Sequence, residues 1–239
     1  MDAQDAPGKC MEGLKESGGA ASPWLEVFVQ RQGQVSSAAG ADGLHINFQP
    51  PEKVDAVFTN GEHKVSSGVY VAKGDAKVIA EGSAVVYAFD QASVQGSGKA
   101  TVFVSDKANA QMNGEGVVYA RQDSTAYGFD KALVYAFDNV EVHAHDQPLV
   151  IGFDHAQIYS NDSSTTCAFN NAFVWPRMPV SPDMDRVIAF DNAVVATDGR
   201  QVNGKNGPLP RITLFNNATW IESEPQFHNP ILHRQGNTP

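Results

Sequence analysis

From Gly74 onward, small apolar residues alternate with polar ones, and the alternation is divided into units of eight residues. The units begin GDAKVIAE, GSAVVYAF, DQASVQGS and continue without an insertion as far as Trp175. An alternation at period two predicts β-strands, because successive side chains of a strand point to opposite sides. A helix is excluded, since its period of 3.6 would scatter these residues around its circumference.

Each unit opens with a residue that favours a tight turn. The first position is Gly, Asp or Asn in 12 of 13 units, with Gln122 as the exception, and these residues tolerate a positive φ. The third position is Ala in 8 units and the fifth is Val in 9. Strands with such small inward side chains predict a narrow interior between two walls that lie close together.

The outward residues repeat every sixteen positions rather than every eight. At the fourth position, alternate units carry Val85, Thr101 and Val117, whereas the intervening units carry Lys77, Ser93 and Asn109. A triangular coil of three units would mix these two sets on every face. We therefore predict an all-β fold: a flattened, two-sheet parallel β-solenoid with 16 residues per coil, one apolar outer face and one polar outer face.

The same pattern predicts the organisation of the whole chain. Residues 66–175 form the regular solenoid, and residues 23–65 carry strand-like apolar residues out of register, which predicts an N-terminal cap. Residues 176–223 contain the last irregular coils with loop insertions, among them the proline-rich PRMPVSPDM. Residues 1–22 are small and polar, which predicts a flexible N-terminus, and residues 224–239 predict an extended C-terminal tail.

Composition limits the classes of partner and the location. The 27 acidic and 17 basic residues give a net charge of −10, which disfavours nucleic acid and anionic lipid. Neither a signal peptide nor a membrane span is predicted, so we expect a protein that is cytoplasmic or exported without a cleaved signal peptide. The only cysteines, Cys10 and Cys167, imply no disulfide framework and no Cys-rich zinc site, and they leave the redox compartment open.

Three patterns have both a functional and a structural interpretation. His143-Ala-His145-Asp146 is similar to part of the HxHxDH run of metallo-β-lactamase-like hydrolases, but Gln147 follows the aspartate, and alternate α-carbons lie about 7 Å apart. Two outward, solvated histidines are therefore favoured over a metal site.

Aspartates that open the units could bind calcium, although capping of turns is favoured. Phenylalanines that precede the corners predict a stacked ladder, with a carbohydrate-binding strip as the alternative: Phe89, Phe129, Phe137, Phe153, Phe169, Phe190 and Phe215.

No catalytic motif is apparent, since the chain has no P-loop, no G-x-S-x-G and no GxGxxG. The uninterrupted units leave no place for a substrate in the middle of the rod. We therefore predict no enzyme activity, no cofactor, no metal and no catalytic residue. A carbohydrate-binding or carbohydrate-cleaving β-helix is the alternative function.

The apolar face is the strongest functional clue in the sequence. Its residues would form a patch larger than the few hundred Å² that a soluble monomer tolerates, so something must cover it. The chain's own termini are one candidate, and an identical face from a second chain, giving a homodimer, is the favoured one. The predicted binding residues are Val85, Tyr87, Phe89, Val117, Tyr119, Leu133, Tyr135, Phe137, Leu149, Ile151 and Phe153.

The units resemble bacterial and phage octapeptide β-solenoid repeats of the form A-x-V-x-A-x-D/G-x and, more distantly, the sixteen-residue coils of ice-nucleation proteins. This resemblance covers residues 66–198 and implies a fold. Ice binding would need a rank of threonines, which the polar face lacks. The expected function is a non-enzymatic scaffold that self-associates and binds a protein, with a secreted bacterial effector or a phage-related module as its biological form.

Overall fold

A computed structural model describes residues 46–176, 186–198 and 211–223. Within these ranges the chain forms twenty β-strands and no helix. The strands alternate between two parallel ten-stranded sheets, here called sheet A and sheet B. The chain therefore crosses from one sheet to the other at every corner, as the sequence predicts.

Sheet A holds the odd-numbered strands, whose bounds are β1 Ala56–Phe58, β3 Val69–Ala72, β5 Val85–Ala88, β7 Thr101–Val104, β9 Val117–Ala120, β11 Leu133–Ala136, β13 Leu149–Gly152, β15 Thr165–Ala168, β17 Arg186–Ala189 and β19 Arg211–Leu214. Sheet B holds the even-numbered strands, whose bounds are β2 Glu62–Val65, β4 Lys77–Ala80, β6 Ser93–Gly96, β8 Asn109–Met112, β10 Thr125–Gly128, β12 Glu141–Ala144, β14 Gln157–Ser160, β16 Phe173–Pro176, β18 Val194–Asp198 and β20 Thr219–Ser223.

The register of the sheets confirms the predicted coil length. Val85 pairs with Thr101, Thr101 with Val117, and Val117 with Leu133, each sixteen positions further along the chain. All four residues lie on sheet A, so the two sets of outward residues occupy different faces. The flattened, two-sheet parallel β-solenoid predicted from the sequence is therefore confirmed.

The core lies between the two sheets and is made of very small side chains. Alanines and valines from the third, fifth and seventh positions of the units are fully buried there, for example Ala84, Val86 and Ala88 of the coil that contains β5. Because each inward side chain extends only a few ångströms from its strand, the two sheets can lie close together over the core. The narrow interior follows directly from this choice of residues.

The corners use the positive φ that the first position of each unit permits. Asp90, with a φ of 58°, is one of eleven non-glycine residues in the described ranges with positive φ. The corner is closed by a turn in which the Ala92 N–H donates to the Phe89 carbonyl at 3.1 Å. The stacking continues through the corner, since the Lys107 N–H donates to the Asp90 carbonyl at 3.0 Å.

The corner carboxylates accept hydrogen bonds from the backbone of the preceding coil. The Asp90 carboxylate accepts a hydrogen bond from the Gly74 N–H at 3.1 Å, and the Asp106 carboxylate accepts one from the Asp90 N–H at 3.3 Å. On the other edge, the Asp130 carboxylate accepts from the Gly114 N–H at 3.0 Å. This arrangement supports the turn-capping interpretation, with a side chain one coil away as the capping group.

We expect Asp130→Ala to lower the free energy of unfolding by about 2 kcal/mol. Alanine at a φ of 51° is strained by roughly 1–2 kcal/mol, and the Gly114 N–H loses a charged acceptor. Asp130→Asn tolerates the same φ and keeps an acceptor oxygen, so it should cost less than about 1 kcal/mol. Urea unfolding of both variants measures this, and equal losses would contradict the role given to the corner conformation.

The paired strands extend beyond the range predicted for the regular solenoid. Strands β1 and β2 lie within residues 23–65, the range assigned to a cap, and they pair with β3 and β4. Beyond Trp175, β17 and β18 form the further coil that the sequence predicts, and β19 and β20 form the last one. Residues 1–22, the insert at 177–185 and the tail at 224–239 lie outside the described residues.

Candidate binding surfaces

The outer side of sheet A gathers all the residues predicted for the apolar face. Five of them are half-buried: Val85, Tyr87, Phe89, Val117 and Phe137. The other six are buried: Tyr119, Leu133, Tyr135, Leu149, Ile151 and Phe153. Together with Cys167, Phe169, Ile188 and Phe190, the buried ones form a second apolar cluster, separate from the core between the sheets.

Two columns of stacked rings run along this face. Tyr87, Phe103, Tyr119 and Tyr135 stack with centroid separations of 4.5, 4.9 and 5.1 Å. Phe137, Phe153, Phe169, Phe190 and Phe215 stack at 5.0, 5.4, 4.7 and 4.8 Å. These separations match the spacing of neighbouring strands, about 4.8 Å, because each ring occupies the same position of successive coils.

The predicted phenylalanine ladder is thus present, but two of its proposed members stand apart. Phe89 is followed in its column by Ser105 and Arg121, and Lys73 lies over its ring at 5.8 Å. Phe129 belongs to a corner on the other edge and stacks on His145. The continuous ladder therefore starts at Phe137.

A residue from outside the strands packs where the ladder is interrupted. Phe48 makes edge-to-face contacts with Phe103 and Phe137, at 6.0 and 6.4 Å. The Arg121 guanidinium lies 4.5 Å from the centroid of the Phe48 ring. Burial raises the pKa of the nearby Tyr119 hydroxyl to about 12, so this side chain is a neutral part of an apolar surface. The sequence placed Phe48 in the cap without identifying this contact.

Cys167 lies in the same cluster. It has no solvent exposure, it stands next to Ile151 in the register of sheet A, and it is disulfide-bonded. The two cysteines of the chain imply no disulfide framework, yet Cys167 forms a disulfide. A single disulfide on this face was not predicted.

The outer side of sheet B is open along its whole regular length. Its central column contains Gln95, Gln111, Tyr127, His143 and Tyr159, all of them exposed or half-buried. Tyr127 and His143 stack at 5.0 Å, as do His143 and Tyr159. We call this column of three rings the open stack. The sequence analysis above does not predict the open stack, because this face is polar on average. The three rings recur at a spacing of sixteen residues, and that spacing is the sequence signal that indicates a stack.

The two histidines of the HxHxD pattern are separated by their packing. His143 belongs to the open stack, and its Nε2 lies 2.8 Å from a carboxylate oxygen of Glu141. His145 stacks on Phe129 at 5.2 Å, and its Nδ1 lies 4.0 Å from Asp162 Oδ2. Throughout the described part of the chain, no group of three or more His, Cys, Asp or Glu side chains could hold a metal ion.

The chain matches no family model, no curated protein and no solved structure. In the ranges that the structure describes, no helix is long and apolar enough to cross a membrane.

Proposed function

We propose that this chain is a non-enzymatic interaction scaffold that binds a protein partner through the outer side of sheet B. The observation that carries this proposal is the contrast between the two faces. The outward residues of sheet A that lie at the level of the open stack, such as Tyr135 and Ile151, are buried within one chain. The open stack and its neighbours on sheet B are accessible. A binding surface must be accessible, and sheet B offers the larger one.

The residues around the open stack suit a protein surface. Tyrosine combines a large ring with a hydroxyl group and is enriched in protein interfaces. Beside the stack run Asn109, Thr125, Glu141 and Gln157, which offer donors and acceptors along a straight line. Such a mixture of ring edges, amides and hydroxyls supports a polar, protein-binding interface.

The size of the face limits how a partner can bind. A four-residue strand is about 13 Å long, and ten strands stack to roughly 43 Å, so one complete face offers on the order of 560 Å². A stable interface buries about 800 Å² on each partner. A partner must therefore contact several coils together with the corner residues beside them.

The orientation of the rings favours protein over carbohydrate. Sugars stack on the faces of aromatic rings, but the planes of Tyr127 and His143 differ by only 11°, and those of His143 and Tyr159 by 12°. Their faces are turned towards one another along the solenoid, and their edges reach solvent. Carbohydrate binding remains the alternative function, and it would have to use contacts other than ring stacking.

Self-association through the apolar face of sheet A remains a prediction. Among the predicted residues, the accessible part consists of the half-buried ones, which are Val85, Tyr87, Phe89, Val117 and Phe137. A homodimer that used the whole predicted face would also need the six buried residues to become accessible.

The proposal predicts that Tyr159→Ser weakens partner binding about tenfold or more, as loss of an aromatic anchor does. A photo-crosslinking residue placed at position 159, in cells that contain the protein naturally, identifies the partner, and calorimetry then measures its affinity. Lys53→Ser, at an exposed position that precedes β1 and lies outside sheet B, is the matched control and should bind as the unchanged protein does. An unchanged affinity for Tyr159→Ser would contradict the proposal. A glycan array that gives a ligand dependent on Tyr159 would replace the protein partner with a carbohydrate.

A further inference from the structure

The apolar face of sheet A is covered more completely than the described residues explain. Tyr135 is 1 % exposed within a single copy of the chain, and Ile151, Cys167 and Phe169 are fully buried, although sheet A turns all four side chains away from the core. Ile46 and Phe48 pack on this cluster, and the Phe48 ring contacts Phe103 and Phe137. Phe169 lies two coils beyond Phe137, roughly 10 Å further along the stack, which is beyond the reach of one ring.

The disulfide of Cys167 indicates which part of the chain provides the rest of the cover. Cys167 is disulfide-bonded, and the chain contains one other cysteine, Cys10. A bond to Cys10 of the same chain would bring the N-terminal segment onto the face at the level of β15. Because the face is already buried in a single copy of the chain, an intramolecular bond accounts for both observations.

The length and composition of that segment fit this role. Between Cys10 and Phe48 the chain can extend to about 120 Å, whereas the two anchor points lie only a few coils apart. The segment carries the apolar run Trp24, Leu25, Val27, Phe28 and Val29, between the two anchors. This run is the largest apolar stretch before residue 46 and can supply the missing contacts.

We propose that residues 1–45 of this chain lie across the apolar face of sheet A and are fixed there by a disulfide between Cys10 and Cys167. The occupant of the face is thus the chain's own N-terminal segment and not a second copy. The proposal is independent of the partner suggested for sheet B, since it concerns the opposite face.

The bond is tested by mass spectrometry of the full chain, expressed in an oxidising compartment and purified without reductant. We expect an intact mass lower by two hydrogen atoms, a non-reduced digest that joins the peptides of Cys10 and Cys167, and a monomer on a non-reducing gel. Free thiols in the folded protein would overturn the proposal. A disulfide-linked dimer would also overturn it and would identify a second copy as the occupant.

The covering is tested separately with Cys10→Ser and with deletion of residues 1–45. Deletion should raise the binding of a hydrophobic dye several-fold and cause association in light scattering, while Cys10→Ser should lower the melting temperature and accelerate proteolysis before residue 46. Ser17→Ala, in the same segment, is the control and should change none of these. If the deletion variant does not fold, hydrogen exchange of β13 and β15 in Cys10→Ser decides: exchange as slow as in the unchanged protein would contradict the covering.

Discussion

Replacing Phe169 with alanine is expected to lower the free energy of unfolding by about 4 kcal/mol. Phe169 has no solvent exposure, and both faces of its ring are in contact, with Phe153 at 5.4 Å and with Phe190 at 4.7 Å. Truncation removes the buried ring and leaves a cavity that the strands on either side, held at a fixed spacing, cannot close. Urea unfolding followed by circular dichroism measures the loss.

Phe89→Ala is the matched control, because Phe89 occupies the same position in its unit. Its column continues with Ser105 rather than a ring, and the side chain is half-buried. We expect a loss of roughly 1–2 kcal/mol, set by the area buried rather than by stacking. Equal losses for the two variants would show that the continuous ladder contributes nothing beyond ordinary burial.

The sequence predicts the repeating part of this fold well because every coil carries the same pattern of small and outward residues. Small residues at alternate positions dictate a narrow core, and the sixteen-residue period separates the outward residues into two faces. The sequence does not predict the coil that precedes Ser66, because the spacing between its paired residues differs from sixteen. Ala56 pairs with Tyr70, fourteen positions on, and Glu62 pairs with Lys77, fifteen positions on, so no period of sixteen could reveal β1 and β2.

The candidate surfaces were predictable only as far as the repeat extends. The sequence grouped the residues of the apolar face correctly, since they share a position in the coil. It could not predict that Phe48 packs where the ladder has Ser105 and Arg121, because Phe48 belongs to no unit. The disulfide of Cys167 likewise depends on which sulfur atom lies beside it in space, and such contacts have no periodic signal.

The second large effect is expected where glycine is required for a close approach inside the core. A Cβ at Gly116 would lie 2.8 Å from the Ala100 carbonyl oxygen and closer still to Met112 Sδ. The Ala100 carbonyl accepts the hydrogen bond of the Val117 N–H at 2.9 Å, so it cannot move without weakening the pairing of successive coils. We expect Gly116→Ala to lower the free energy of unfolding by about 3 kcal/mol.

Gly96→Ala is the matched control, because its Cβ meets only the flexible end of the same methionine. That Cβ would lie 2.5 Å from Met112 Cε and 3.6 Å from the nearest backbone atom, the Gln111 carbonyl oxygen. Met112 can rotate away, so Gly96→Ala should cost less than about 1 kcal/mol. At Gly116 the added methyl group therefore meets a backbone atom, whereas at Gly96 it meets a flexible side chain.

A double-mutant cycle with Met112→Ala separates these two causes. Removing the Met112 side chain should abolish the cost of Gly96→Ala, measured against the Met112→Ala background by urea unfolding. It should relieve Gly116→Ala only in part, because the Ala100 carbonyl remains in place. Complete relief of Gly116→Ala would show that Met112 alone fills this space, and that the backbone of neighbouring coils can separate enough to admit a methyl group.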